Sequence, residues 1–334
     1  MIAAVYSPRP GEADALRRFA GDVRIRIVDR RLDLDSVADA DGCEAVCATV
    51  ADRLDQPVLQ ALQQHGVRLV VLRCVGFNNV NLAAAVAANI TVMRVPAYPP
   101  HAVAEHTLAL ILTLARNTHL AWNRTGGGDC TLDGLIGRDL HEATVAVIGT
   151  GRIGVRVAAI LAAFGCRVLA HDPVRSPQCR AIYKDLESCL AEADIVTLHC
   201  PLTPRTVGMI GPSRIARMKR GALLVNTSRS RLLDIPAITM AISDGHLAGL
   251  GMDLYEEDEG LYVCEPAERS LRDTALAALL GRPEVLVTVH QAWYTEGALA
   301  AIARTTMGNI AEFARNGACV NSLTDEFDSN PGAL

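Results

Sequence analysis

The sequence predicts an α/β protein built from two doubly wound parallel-sheet units. Short β-rich runs alternate with helix-forming runs along nearly the whole chain, the pattern of repeated βαβ crossovers. The alternation breaks at Pro96-Ala97-Tyr98-Pro99-Pro100 and resumes at residue 144. The 334 residues are too many for one ordinary domain and comfortable for two.

The elements follow in order. Residues 2–6 form a β-rich run, 12–19 fit a helix, and 23–28 alternate apolar residues with Arg, as a half-exposed strand does. Strands are expected at 45–50, 69–74 and 90–95, with helices at 57–64 and 82–88 between them. An apolar helix follows the proline break over 102–117, and 125–137, with five glycines, reads as a loop. The second series has strand candidates at 144–148, 167–171, 195–199, 223–226, 247–252 and 285–288, and a last helix spans 298–314.

Half the residues are hydrophobic and 21% are charged, so each segment can build a core. A net charge of -5 gives no reason to expect nucleic acid or an anionic membrane as partner. Ser7-Pro8-Arg9-Pro10 ends the first apolar run too early for a secretory signal, and runs such as 108–112 are far too short to span a membrane, so a cytoplasmic protein is expected. Ten scattered cysteines with no CxxC read as buried reduced thiols. Neither they nor the nine histidines form a zinc-binding pattern, and no metal site is expected.

Residues 144–154 read TVAVIGTGRIG, a β-branched strand running into Gly149, Gly151 and Gly154 at GxGxxG spacing, with a helix after it. Gly149 would make the tight turn, Gly151 would let a pyrophosphate approach the backbone, and Gly154 would let the helix pack on the strand. The helix N-terminus would offer N–H groups to the phosphates. The next strand ends in His171-Asp172, 18 residues past Gly154, where a carboxylate can bind the ribose hydroxyls of NAD and repel the 2′-phosphate of NADP. Arg175 nearby leaves that preference open.

The segments RCVGFNNV (73–80), RVPAYPPHAVAEHT (94–107), VIGTGRIG (147–154), LHCPLT (198–203), VNTSR (225–229), GMDLYE (251–256) and VHQAW (289–293) occur in one order across the chain. On these segments the sequence resembles the D-2-hydroxyacid dehydrogenase family, and within it the D-lactate dehydrogenases. The resemblance implies a Rossmann NAD domain, here residues 100–295, inserted into a flavodoxin-like substrate domain formed by 1–99 and 296–334, with the active site in the cleft between them.

The family's reaction moves a hydride between nicotinamide and the substrate C2, and a proton to or from the C2 oxygen. Arg229 matches the family's catalytic arginine, whose charged planar fork suits a carboxylate and a carbonyl oxygen. His290 matches the acid/base histidine, since imidazole titrates near neutrality. The family usually pairs that histidine with Glu five residues after the aspartate of its GMDVYE segment. Here that position is Asp258, which keeps the charge that favours imidazolium but reaches about 1.5 Å less. The backbone moves in, a water bridges, or Glu257 or Glu259 substitutes.

The resemblance also implies substrate contacts from Val75, Gly76, Tyr98, Thr49 and Trp293. For the cofactor it implies Arg152 and Ile153 beside the glycines, Pro201 and Thr203 on the adenine side, Thr227, and Asp253 at the nicotinamide carboxamide or in the network around it. Ser230 replaces a family glycine and leaves the turn beside Arg229 open. Thr49 stands near where D-lactate enzymes often carry an aromatic, and Trp293 where Phe is usual, so opposite volume changes meet at two pocket walls. Pyruvate is the first expectation, and a bulkier 2-keto acid such as phenylpyruvate is the alternative. A non-catalytic NAD-sensing corepressor-like protein is the alternative from another class, against which stand Arg229 and His290, both in place. Family members usually pair, so a homodimer or homotetramer is expected.

Overall fold

A computed structural model of the chain describes residues 1–253, 278–317 and 320–329. The chain folds as two compact units, Met1–Pro99 with Tyr294–Leu334, and Pro100–Trp293.

The first unit has a parallel five-stranded sheet among the described residues: β1 (Ile2–Tyr6), β2 (Arg24–Val28), β3 (Ala45–Ala48), β4 (Leu69–Leu72) and β5 (Thr91–Arg94). The order β2-β1-β3-β4-β5 is the flavodoxin-like doubly wound order. Side chains alternate between two apolar layers. Ala4, Tyr6, Val46 and Val70 face one core, and Ala3, Val5, Cys47 and Val71 face the other. Helices α1 (Glu12–Phe19), α2 (Gln56–Gln64) and α3 (Leu82–Ala87) join these strands. Asp55 and Asn81 cap α2 and α3 by accepting from the N–H groups of Val58 and Ala84.

The second unit opens with α4 (Pro100–Arg116) and α5 (Thr118–Gly126). Pro100, in sequence part of the proline break, is the first residue of α4, where a missing N–H costs nothing. The helix α5 is not expected from the sequence pattern. Asn117, at φ 52°, turns the chain between the two helices, and the polar run Arg116-Asn117-Thr118-His119 reads in sequence as the end of one helix.

The second unit's strands are β6 (Thr144–Ile148), β7 (Arg167–His171), β8 (Ile182–Tyr183), β9 (Ile195–Leu198), β10 (Ala222–Asn226), β11 (Leu247–Met252) and β12 (Val285–Val287). All pair in parallel in the order β12-β11-β10-β9-β6-β7-β8, the Rossmann order with one further strand. Helices α6 (Gly154–Ala163), α7 (Leu186–Glu192), α8 (Pro212–Ile215) and α9 (Ile235–Ser243) connect them. The order reverses between β6 and β9, which opens a crevice past their C-terminal ends.

Thr295 caps α10 (Glu296–Asn316), which packs on α1 and β4 in the first unit. The short α11 (Leu323–Ser329) packs on α3 and β5, and Met93 pairs antiparallel with Ser322. Among the described residues no helix is long and apolar enough to cross a membrane.

Candidate active site

The glycine turn follows β6 directly. Gly149 has φ +99°, and a Cβ there would lie 2.6 Å from the His199 carbonyl carbon and 2.7 Å from Cys200 N, so the loops after β6 and β9 touch at a position only glycine fills. A Cβ on Gly154 would overlap the Gly149 carbonyl oxygen, so α6 begins hard against the turn. A Cβ on Gly151 would meet nothing within 4 Å, which leaves its backbone open to a large group. Two crowded glycines and one open one fit a pyrophosphate laid across the start of α6. Arg152 is exposed beside them, and Ile153 is the half-buried residue from which α6 starts.

Asp172 ends β7. Its Oδ2 accepts from Thr150 N at 2.6 Å and Thr150 Oγ1 at 3.2 Å, and its Oδ1 accepts from Val174 N at 2.8 Å. The carboxylate braces the glycine turn and keeps lone pairs for ribose hydroxyls. Tyr183 completes this brace by donating to Thr150 Oγ1 at 2.8 Å, and the Arg175 guanidinium lies 5.3 Å over the Tyr183 ring. Past β9, Thr203 N donates to Thr206 Oγ1, which donates to Pro201 O, so both adenine-side candidates lie in one turn. His199 is no acid/base candidate, because burial pushes its imidazole down to about 3.

Arg229 and His290 lie past the C-terminal ends of β10 and β12, with β11 between them. Two strand spacings, about 10 Å, separate those ends. Arg229 is exposed, in extended backbone (φ −134°, ψ 133°), just before the 3₁₀ turn Ser230–Leu232. Ser230 is buried and does not have a positive φ, so this turn has no need of the family's glycine. His290 is half-buried at φ 57°, in the left-handed region where a side chain is strained.

A buried polar chain links the two residues. Asn226 Nδ2 donates to the Arg229 carbonyl at 2.8 Å, and Asp253 N donates to the Asn226 carbonyl at 3.2 Å. The Asp253 carboxylate, 2% exposed, accepts from Gln291 N at 2.9 Å, Ala292 N at 2.8 Å and Thr288 Oγ1 at 2.6 Å. It therefore grips residues on both sides of His290. Burial alone would raise its carboxyl, but hydrogen bonds from His106, Thr288 and the two N–H groups outweigh burial and hold it below its usual range. Asp253 thus spends its carboxylate on the His290 turn. Thr227, in the loop before Arg229, shares a 2.9 Å hydrogen bond with Thr107.

The first unit presents its own polar loop. Among the described residues no group accepts from the N–H of Val75 or Gly76, while Arg94 donates to the Val75 carbonyl at 3.3 Å and Cys74 Sγ to the Gly76 carbonyl at 3.3 Å. Both carbonyls are engaged, and both N–H groups remain available to an anion. A Cβ on Gly76 would come 3.1 Å from Val50 Cγ1. The Thr49 hydroxyl is turned to Asp52 Oδ2 at 3.2 Å within its own turn. Tyr98 and Trp293 are both half-buried, in the first and second units respectively. Asp258 lies outside the described residues. Among the described residues no cluster could hold a metal ion.

The family model for the NAD-binding domain of D-isomer specific 2-hydroxyacid dehydrogenases matches residues 108–292. The chain belongs to this family. It is 44% identical over 297 residues to 2-hydroxyacid dehydrogenase A of Aspergillus oryzae, covering 88% of this chain and 86% of the relative. The apo structure of D-lactate dehydrogenase from Escherichia coli superposes with a TM-score of 0.89 at 38% identity, over 97% of this chain and 100% of that one. An NAD-complexed D-isomer specific 2-hydroxyacid dehydrogenase from Lactobacillus delbrueckii ssp. bulgaricus gives 0.82 at 32% identity, over 97% and 100%. The chain is a 2-hydroxyacid dehydrogenase, and its residues 108–292 form the family's NAD-binding domain. Gly149, Gly151, Gly154 and Asp172 fit NAD by their own geometry, the resemblance aside.

His106, Thr107, Thr288 and Asn226 are not marked as site residues by the sequence. His106, Thr107 and Asn226 fall inside segments that carry the family resemblance, and a His-Thr pair stands out in the largely apolar α4, but neither signal points to their partners. The partner of Thr107 lies 120 positions away and that of His106 lies 182 away. Asn226 cannot be read from spacing at all, because its links run through backbone atoms.

Proposed function

We propose that this enzyme reduces pyruvate to D-lactate with NADH. The observation that carries the reading is the placement of Arg229 and His290 beyond parallel strands of one sheet, joined through Asn226 and Asp253. The Arg229 fork binds the substrate carboxylate and draws electron density from the C2 carbonyl. The N–H groups of Val75 and Gly76 supply further donors to the carboxylate, and the Tyr98 hydroxyl adds one more. His290 gives its proton to the C2 oxygen in reduction and takes it back in oxidation. Asp258 is the acid that favours the imidazolium form. NADH, when bound, supplies the hydride to C2. Thr227 and Asp253 shape the nicotinamide side, Pro201 and Thr203 the adenine side, and Thr49 and Trp293 the pocket walls. Asp172 keeps its negative charge at the ribose, which supports NAD over NADP.

A panel of 2-keto acids assayed with NADH and NADPH tests this. Pyruvate is expected among the best substrates by kcat/KM, with NADH preferred. A strong preference for phenylpyruvate or another bulky keto acid would move the assignment to that substrate.

The eight described cysteines are all free, which supports a reducing, cytoplasmic setting that cell fractionation can check. Trp122, Leu132 and Ile136 are 77%, 82% and 92% exposed on α5 and the loop after it, and support self-association. A monomeric mass in solution would remove that last reading.

A further inference from the structure

Helix α4 carries two consecutive polar residues on a face that otherwise packs in the second unit's core. Leu110 and Leu114, one and two turns on from His106, meet β11 at its glycines: a Cβ on Gly251 would lie 3.2 Å from Leu114 Cδ1 and 3.4 Å from Leu110 Cβ. A Cβ on Gly249 would lie 3.4 Å from Leu114 Cδ2. The missing side chains let α4 lie close on the sheet, and this brings the start of the helix to the C-terminal ends of β10 and β11.

There the two polar residues divide. His106 Nε2 lies 3.0 Å from Thr288 Oγ1 and 3.3 Å from Asp253 Oδ1, the carboxylate that grips the His290 turn. Thr107 is fully buried; its hydroxyl donates to Val103 O at 2.8 Å and shares the 2.9 Å hydrogen bond with Thr227, two residues before Arg229. One rigid helix therefore holds both loops. Neither residue is adjacent to Arg229 or His290 in sequence, and each acts through an intermediary.

We propose that His106 and Thr107 are positioning residues that set the separation between Arg229 and His290. The proposal rests on the dehydrogenase reading of those two side chains. His290 sits in a strained backbone conformation that the Asp253 grip must hold, so loosening the grip lets the ring relax away from its place. A displacement of about 1 Å at a reacting group can cost on the order of a hundredfold in rate.

The experiment compares Thr107→Val, which keeps shape and removes the hydroxyl, with Thr107→Ser, which keeps the hydroxyl, and His106→Leu with His106→Gln. With pyruvate and NADH, kcat is expected to fall about ten- to a hundredfold in Thr107→Val and His106→Leu. Tm is expected to drop only by a few degrees, since each change leaves a buried polar group short of a partner; the NADH Kd, read by fluorescence, is expected to change much less than kcat, and Thr107→Ser and His106→Gln are expected to recover most of the rate. Unchanged kcat in both Thr107→Val and His106→Leu overturns the proposal. So does a loss that follows Tm and NADH affinity and is not recovered by the conservative variants, because that marks packing alone. If the parent enzyme reduces no 2-keto acid, the functional reading fails by itself. The bracing is then read from crystal structures of Thr107→Val and His106→Leu, where displaced Arg229 and His290 loops support it and unmoved loops overturn it.

Discussion

Replacing Arg229 by glutamine is expected to lower kcat/KM for pyruvate by about 10²- to 10³-fold, the loss seen when one preorganised donor to a developing oxyanion is removed. The residue is exposed, and surface substitutions usually shift stability little, so Tm is expected to move far less than kcat/KM. Lysine restores the charge but not the fork, and is expected to recover only part of the loss. Steady-state kinetics beside a thermal melt checks both halves. If kcat/KM stays within a few-fold of the parent, on the scale of about 1 kcal/mol, Arg229 does not touch the reacting carbonyl.

The second large effect lies in the first unit and bears on stability. Arg73 Nη1 and Glu12 Oε1 form an ion pair at 2.5 Å with both side chains essentially buried, and Arg73 Nη2 also donates to the Tyr6 carbonyl at 2.5 Å. Removing one partner strands the other charge away from water, so Glu12→Gln or Arg73→Met is expected to destabilise the unit by about 3–5 kcal/mol. The double variant Glu12→Leu/Arg73→Met is expected to lose less than the worse single one, because no uncompensated charge remains. Calorimetry resolves the question, as a two-unit chain need not melt in one transition. Single variants that melt with the parent would show that water reaches the pair. Arg73 directly precedes Cys74, Val75 and Gly76, so variants that fold are also expected to show a raised KM for pyruvate.

The fold class was legible in the sequence because both sheets are covered on both faces. Strands such as β3 and β4 (AVCA and LVVL) are then continuous apolar runs, and the glycine turn after β6 is written at fixed spacing. What stayed hidden was short or local in a different way. β8 is two residues long, too short for any period to register. α5 begins where Asn117 adopts a left-handed turn, which looks in sequence like the end of one helix and the start of a loop. α11 follows an exposed Val320 and is mostly polar (LTDEFDS), with no apolar stripe strong enough to announce a helix.

The candidate site divides along the same line. Arg229, His290 and the glycines stand at strand ends that the pattern locates. Asp253 could be placed at its strand end too, but its grip on Gln291 and Ala292 joins residues 38 and 39 positions apart and follows from tertiary packing. Ser230 posed a question that only φ could answer, since a 3₁₀ turn accepts serine where a left-handed turn would resist it.

The most direct test is a crystal structure with NADH and oxamate, an inert isostere of pyruvate. The Arg229 guanidinium and the His290 ring are expected within about 3 Å of one and the same oxamate molecule. An oxamate that touches only one of the two, or a site that leaves both facing solvent, would contradict the shared role assigned to them.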